Sequence, residues 1–155
     1  MKGAILHGGA NKHTDLAAVL HAIGNAQLKF NWLVTDCLCY PHDANLEALL
    51  SRDHVWLTGE LLTQVAQKVP RFTWGVFSGF QKDLAMHEIL EFDLPFADGY
   101  SGFWENNVTL QNPLADIEIV AHGGSATLLI SRHDELAHRY CVATGAQDLA
   151  SYNAR

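Results

Sequence analysis

The most restrictive feature of this sequence is the alternation, in its first half, of strand-like apolar runs with segments of helical periodicity. Over about residues 14–25 the apolar side chains follow the spacing i, i+3, i+4 and i+7, which lines one face of an amphipathic helix. These side chains are Leu16, Val19, Leu20 and Ile23. The run from Phe30 to Tyr40 is mostly apolar and ends at Pro41, as a strand does. Such alternation is typical of helices packed against a sheet.

The same two patterns predict the remaining elements. They indicate strands at residues 3–6, 54–57, 72–80, 117–121 and 126–131, and helices at residues 43–50, 58–69, 82–90 and 134–141. Thr58 is a suitable N-cap for its helix, and Pro70 is a suitable stop. Two glycines within residues 72–80 indicate a bulge or a close backbone approach. His122–Ser125 is typical of a hairpin turn, and Ser131–Asp134 is typical of a capping box with Asp in place of Glu.

A chain of 155 residues has the commonest domain size and buries enough surface for an independent core. No low-complexity linker divides it, so we predict a single globular domain over residues 1–155. The predicted fold class is α+β, with a central mixed sheet of about five or six strands flanked by helices. We expect parallel pairing in the first half, because helices separate the strands there. The tail from Gly145 to Arg155 is polar.

The balance of charge limits the choice of partner. The formal net charge is −7, from 17 acidic and 10 basic residues, so nucleic acid and anionic membranes would repel the chain. A basic protein partner is compatible with this charge, and so is a simple role in solubility. The sequence has no apolar stretch long enough for a signal peptide or a membrane span. We therefore expect a cytoplasmic protein.

Histidine and cysteine patterns do not predict a metal site. His133 and His138 have a zinc-like separation, but five residues along a helix turn the two rings about 140° apart. Cys37 and Cys39 point to one face of a strand, and we interpret them as small buried hydrophobic residues. Neither pattern completes a set of ligands.

Motifs for phosphate binding and nucleophilic catalysis are also missing. The turn Leu6–Asn11 stands between a strand and a helix, as a phosphate-binding turn does. It lacks the Gly-x-Gly-x-x-Gly fingerprint and the Walker A lysine, which favours an ordinary turn. The serines form no Gly-x-Ser-x-Gly elbow. We therefore predict no catalytic residue, no cofactor and no metal, and a function other than catalysis.

The segment of residues 92–107 combines aromatic side chains with turn residues and carboxylates. Its aromatic residues are Phe92, Phe96, Tyr100, Phe103 and Trp104, and its acidic residues are Asp93, Asp98 and Glu105. Aromatic residues on a loop are favoured anchors for protein recognition. A long aromatic loop also folds over its own core as a lid, and the sequence leaves both interpretations open. For the first interpretation, the predicted partner contacts are Asp93, Asp98, Tyr100, Trp104 and Glu105.

Several phrases spread over most of the chain resemble a small bacterial family of similar length, associated with the immunity proteins of toxin/immunity systems. The phrases include residues 31–36, 55–60, 74–80, 95–100, 102–104, 113–115, 118–120, 148–149 and 152–153. The resemblance implies a protein that binds and neutralises a cognate toxin by occlusion, and a basic toxin domain as its partner. It carries over no catalytic residue. His122–Gly124 departs from the pattern, where a less glycine-rich hairpin is expected.

Two other functions remain open at the level of sequence. One is a small hydrolase that uses histidine and a carboxylate, which would place a histidine against a carboxylate in a deep pocket. The other is a homo-oligomeric structural or regulatory subunit. The sequence does not define the oligomeric state.

Overall fold

The computed structural model of the protein describes residues 1–7 and 13–155. Within them, the strands are β1 (Lys2–His7), β2 (Phe30–Cys39), β3 (His54–Thr58), β4 (Phe72–Gln81), β5 (Ile117–His122), β6 (Ala126–Ser131) and β7 (Gln147–Asp148). The helices are α1 (Leu16–Ala22), α2 (Ala44–Leu50), α3 (Gly59–Lys68), α4 (Met86–Ile89), α5 (Asp134–Thr144) and α6 (Leu149–Asn153), with 3₁₀ helices at Ala26–Lys29 and Ser101–Trp104. The α+β class is confirmed, with seven strands in the described chain instead of five or six.

The strands form one sheet in the order β3-β2-β4-β5-β6-β1-β7, and every neighbouring pair is antiparallel. The expectation of a mixed sheet with parallel pairing is therefore wrong. Strands β2 and β3, joined through α2, and strands β4 and β5, joined through the segment that holds α4, are antiparallel neighbours. The other strands joined through a helix run in the same direction, but at least one strand lies between them. Thus β3 and β4, which α3 joins, lie on either side of β2, and β6 and β7, which α5 joins, lie on either side of β1.

Local sequence signals define several element ends correctly. Thr58 caps α3, since its Oγ1 accepts a hydrogen bond from a first-turn N–H at 3.2 Å. Helix α1 begins later than predicted, because Asp15 caps it instead of Thr14. The predicted close approach at a strand glycine is confirmed at Gly79, where a Cβ atom would lie 2.6 Å from the Cγ2 methyl of Ile117.

Other local predictions are wrong. Ser131 does not cap α5, because its Oγ accepts from the N–H of His133, which itself precedes the helix without a side-chain cap. The helix expected at residues 82–90 is reduced to α4. The polar tail forms β7 and α6, which were not predicted. The turn Leu6–Asn11 extends beyond the described residues.

Both faces of the sheet are apolar, and each has its own cover. On one face, the sheet packs with α1, α3 and α5 into a core whose largest members are Trp32, Phe72, Phe77 and Tyr140. On the other face, residues 82–116, which we call the covering segment, lie over a second core formed by Leu33, Val76, Phe80, Val120 and Ile130. Burying each such side chain contributes about 1.5–3 kcal/mol. The covering segment therefore replaces a second layer of helices.

Side chains at the far end of β2 tie the covering segment to the sheet. Thr35 Oγ1 donates to the carbonyl oxygen of Pro95 at 2.7 Å. Asp36 Oδ2 accepts from the backbone N–H groups of Ala97 at 2.9 Å and Asp98 at 3.0 Å. Asp36 has a positive φ of 50° at an irregularity in the pairing of β2 with β4. The bulge turns its carboxylate out of the sheet and towards the loop.

The two hydrogen bonds that Asp36 accepts yield a first prediction. Asp36→Ala removes an ionised acceptor of two backbone N–H groups, and it places alanine in a left-handed conformation that aspartate tolerates better. We expect a loss of about 1–3 kcal/mol of unfolding free energy. We also expect faster hydrogen exchange at the amides of Ala97 and Asp98. Denaturant unfolding and amide exchange measured by NMR check the two effects.

The matched control for this prediction is Asp53→Ala. Asp53 is exposed, near the same edge of the sheet, and makes no side-chain hydrogen bond with the described residues. Its replacement should change the unfolding free energy by less than about 0.5 kcal/mol. Equal effects of the two substitutions, or unchanged exchange at Ala97, would show that the carboxylate of Asp36 does not hold the covering segment.

Candidate functional site

Aromatic side chains from four parts of the fold meet around the ring of Phe103. Phe103 is fully buried in the second core. Its ring centroid lies 4.7 Å from that of Tyr100, 6.2 Å from that of Trp104 and 6.1 Å from that of His122. Further contacts extend the group through Phe96, Trp74 and Tyr152. We call the partly exposed members the aromatic surface: Trp74, Phe96, Tyr100, Trp104, His122 and Tyr152.

The covering segment serves both as a lid and as an exposed surface. Ala97 and Phe103 are completely buried against the sheet, as a lid requires. Phe96 and Trp104 on the same segment are 44% and 40% exposed. The two interpretations that the sequence left open therefore apply to different side chains of one segment. Large apolar side chains in such partly exposed positions are typical of interaction surfaces.

Four of the five predicted contact residues lie at this surface. Tyr100 and Trp104 are part of it, and the charges of Asp98 and Glu105 act on it. Burial lowers the pKa of His122, against the opposing influence of the Asp98 carboxylate. Burial also raises the pKa of Tyr100, and the nearby carboxylates of Glu118 and Glu105 add to this effect. The fifth residue, Asp93, is exposed, and no described contact joins it to the aromatic surface.

The remaining members of the aromatic surface were missed at the level of sequence. Trp74 of β4 is half-buried beside His122, with ring centroids 4.9 Å apart. Gly123, with a φ of 63°, follows His122, and a Cβ atom at Gly123 would lie 3.0 Å from the Trp74 ring. The departure of His122–Gly124 from the resembled family was the only sequence signal at this turn. A bulkier hairpin would displace the Trp74 ring.

The covering segment and the two strands that follow it contain many acidic residues and few basic ones. Residues 83–131 contain no lysine or arginine. They contain Asp83, Glu88, Glu91, Asp93, Asp98, Glu105, Asp116 and Glu118. The guanidinium of Arg132, just beyond this range, donates to the carbonyl oxygens of Ala115 and Pro113 at 2.8 and 2.6 Å. Residues 83–131 are therefore acidic, and a cation lies at one edge of the aromatic surface, where the guanidinium of Arg155 is 5.0 Å from the ring centroid of Tyr152.

Beneath the aromatic surface lies a buried carboxyl group with an incomplete set of hydrogen bonds. Glu118 of β5 is fully buried and stands opposite Ser78 of β4. Its Oε2 accepts from the N–H of Gln111 at 3.1 Å. Its Oε1 and the Ser78 Oγ have no hydrogen-bond partner among the described residues. Burial raises the pKa of Glu118 to about 7, although the hydrogen bonds from Gln111 act in the opposite direction.

The Glu118 carboxyl is linked directly to the aromatic surface. The side chain of Gln111 donates to the carbonyl oxygen of Phe96 at 2.8 Å and accepts from its N–H at 3.1 Å. Glu118 therefore holds the backbone of Gln111, and Gln111 holds the backbone of Phe96. A chain of hydrogen bonds therefore connects the buried carboxyl group to the backbone that carries an exposed ring.

Among the described residues, one histidine contacts a carboxylate, but this pair lies outside the described clefts. His133 Nε2 lies 3.2 Å from Asp116 Oδ2, but half of the His133 side chain is exposed. Two clefts, of about 380 and 330 Å³, lie elsewhere, and no histidine lines either of them. No cluster of three or more His, Cys, Asp or Glu side chains suited to a metal ion occurs in residues 1–7 and 13–155. Neither of these two clefts is therefore lined by the histidine–carboxylate pair that such a hydrolase needs.

Comparison with protein-family models, with curated proteins and with solved structures gives no significant match for this chain. In the part of the chain that the structure describes, no helix has the length and apolarity that crossing a bilayer requires. The site is therefore interpreted from its own geometry.

A second prediction follows from Glu118. The folded pKa of about 7 lies above the ordinary 4.5, so between these values the folded carboxyl keeps a proton that the unfolded chain has lost. The contribution of Glu118 to the free energy of unfolding is then fully present below pH 4.5. It is lost as the pH rises through about 7, and the loss is about 3 kcal/mol in total. Glu118→Gln, which cannot ionise, should remove this fall. Urea unfolding of both proteins between pH 4 and about 8 measures the difference.

The control substitution is Glu91→Gln, which changes an exposed carboxylate of the covering segment. It should leave the wild-type dependence on pH in place. If the unfolding free energies of wild type and Glu118→Gln run parallel across this pH range, then Glu118 is not protonated in the folded protein at neutral pH.

Proposed function

We propose that this chain is a protein-binding module that holds a basic protein partner on its aromatic surface. The observation that carries the proposal is the exposure of Phe96 and Trp104 within residues 83–131, which contain eight acidic residues and no lysine or arginine. Apolar anchors would supply the affinity, and the carboxylates around them would select the sign of the partner's charge.

The way in which the aromatic surface is held supports tight binding. A rigid surface loses little conformational entropy when a partner docks. Trp104 belongs to a short 3₁₀ helix, and Asn153 Nδ2 donates to the carbonyl oxygens of Phe103 at 2.8 Å and Glu105 at 3.1 Å. The other end of the surface is held through Gln111 and Asp36. The exposed rings are therefore positioned before binding.

At a finer level, we propose an immunity-type function, in which the chain neutralises a cognate toxin by covering its active surface. The net charge of −7 supports attraction to a basic enzyme. Proteins that act on nucleic acid carry such basic surfaces, and they form the class of toxin that this face suits best. The sequence resemblance to immunity proteins points to the same function.

The test uses a basic toxin domain encoded beside the gene for this chain, and it measures association and dissociation by surface plasmon resonance. Trp104→Ala should weaken the complex by about 2 kcal/mol, or roughly thirty-fold. The matched control is Leu61→Ala, since Leu61 is 45% exposed on α3, on the opposite face. This variant should bind like the wild type.

The electrostatic part of the proposal has its own measurement. Asp98→Asn combined with Glu105→Gln should slow association about ten-fold at low salt and flatten the salt dependence of the rate. A non-cognate basic protein serves as the control for unspecific attraction. Absence of a complex at low salt, or equal loss of affinity for Trp104→Ala and Leu61→Ala, would contradict the proposed function.

A further inference from the structure

Two half-exposed cysteines lie side by side on the helix-side face of β2. Cys37 and Cys39 are both free thiols, and their Sγ atoms are 3.9 Å apart. Alternate residues of a strand point to the same face, where both side chains, like Leu46 and Leu49 of α2, pack against the helix-side core. The interpretation as small hydrophobic residues is correct for their packing, but neither thiol is fully buried.

The backbone that carries these thiols is an irregular strand end. The pairing of β2 with β3 stops at Thr35, so the strand beyond it has a neighbour on one side only. Its register with β4 shifts on both sides of Leu38. Alternate Cα atoms of a regular strand are about 6.6 Å apart, near the upper limit of about 6.8 Å for a disulfide. A disulfide needs a small contraction of this Cα–Cα distance. A strand end without regular pairing opposes that contraction less than a central strand does.

The two thiols differ in acidity because one donates to the other. The S–H of Cys37 is directed at the Sγ of Cys39, and this hydrogen bond lowers the pKa of Cys39. The same hydrogen bond and burial raise the pKa of Cys37, and the carboxylate of Asp36 adds to that effect. Glu47 acts against ionisation of Cys39 more weakly. Cys39 therefore has the character of an attacking thiolate, and Cys37 that of a resolving thiol.

We infer that Cys37 and Cys39 form a thiol–disulfide exchange site that reacts with small peptide disulfides of the glutathione type. The Cys39 thiolate attacks one sulfur of the substrate disulfide, and a mixed disulfide forms while the other sulfur leaves as a thiolate. Cys37 then releases its proton to the solvent and attacks Cys39 Sγ, which expels the second substrate thiolate. Both leaving thiolates take up protons, so the protein loses two electrons and the substrate leaves as two thiols.

The product is an internal disulfide that closes a very short loop across Leu38. Such a bond deviates from the preferred disulfide geometry, and strain makes a disulfide easier to reduce. Reduced glutathione therefore reverses the reaction. This reversibility distinguishes the pair from a structural disulfide. The pair lies on the helix-side face of the sheet, whereas the aromatic surface lies on the other face.

The test treats the full, reduced chain with oxidised glutathione near neutral pH and quenches the reaction with acid and an alkylating reagent. Trypsin cleaves after Lys29 and Arg52, so both cysteines fall on the fragment 30–52, whereas Cys141 falls on the fragment 140–155. Mass spectrometry should find fragment 30–52 lighter by two hydrogen atoms, without attached glutathione. Excess reduced glutathione should restore its original mass.

Single substitutions separate the two roles, and circular dichroism checks that each variant is folded. Cys37→Ser should accumulate a mixed disulfide at Cys39, and Cys39→Ser should react at Cys37 at least about ten-fold more slowly. Cys141→Ser should behave as the wild type. The inference is overturned if fragment 30–52 carries two glutathiones, if it reacts no faster than Cys141, or if the two single variants react at equal rates.

Discussion

The structure depends on one constraint: the sheet is apolar on both faces, and the longer helices α1, α3 and α5 cover only one of them. Strand β5 is buried along almost its whole length, on both faces. The second core would be open to water without residues 82–116, which contain one short helix and one 3₁₀ helix. Irregular backbone over a core needs hydrogen-bond partners. Asp36, Gln111, Asn112 and Asn153 supply them from their side chains.

This kind of cover explains why the exposed rings and the buried carboxyl occur together. A helix would turn a regular apolar stripe towards the sheet, whereas an extended segment alternates between buried and exposed side chains over short distances. Phe103 and Ala97 point inwards, and Phe96 and Trp104, next to them in sequence, are left partly exposed. The polar side chains that form hydrogen bonds with such a segment must lie beneath it, between the segment and the sheet. Glu118 does so from the centre of the sheet, and the burial that this requires raises its pKa.

Sequence patterns predicted the elements better than their arrangement, because the periods of helices and strands are local properties. Strands β2, β4, β5 and β6 and helices α2 and α3 lie close to their predicted residues. The neighbours of a strand in the sheet are not a local property, so parallel pairing was expected where β2 separates β3 from β4. For the candidate site, the loop carboxylates and aromatics were found from composition. Trp74, His122 and Tyr152 were not, since nothing in their own segments shows which face of the sheet the loop crosses.

The interleaved order of the strands has a consequence for how the chain folds. Within the described residues, strand β1 pairs with β6 and β7, so that Lys2 lies opposite Ser131 and Ala4 opposite Asp148. During synthesis β1 leaves the ribosome long before either partner exists, and its apolar residues have no sheet to join. Contacts between such distant residues slow folding, because a long loop must close before the pairing is gained. The sheet is therefore completed only after residues 126–148 have been synthesised, when β1 takes its place between β6 and β7.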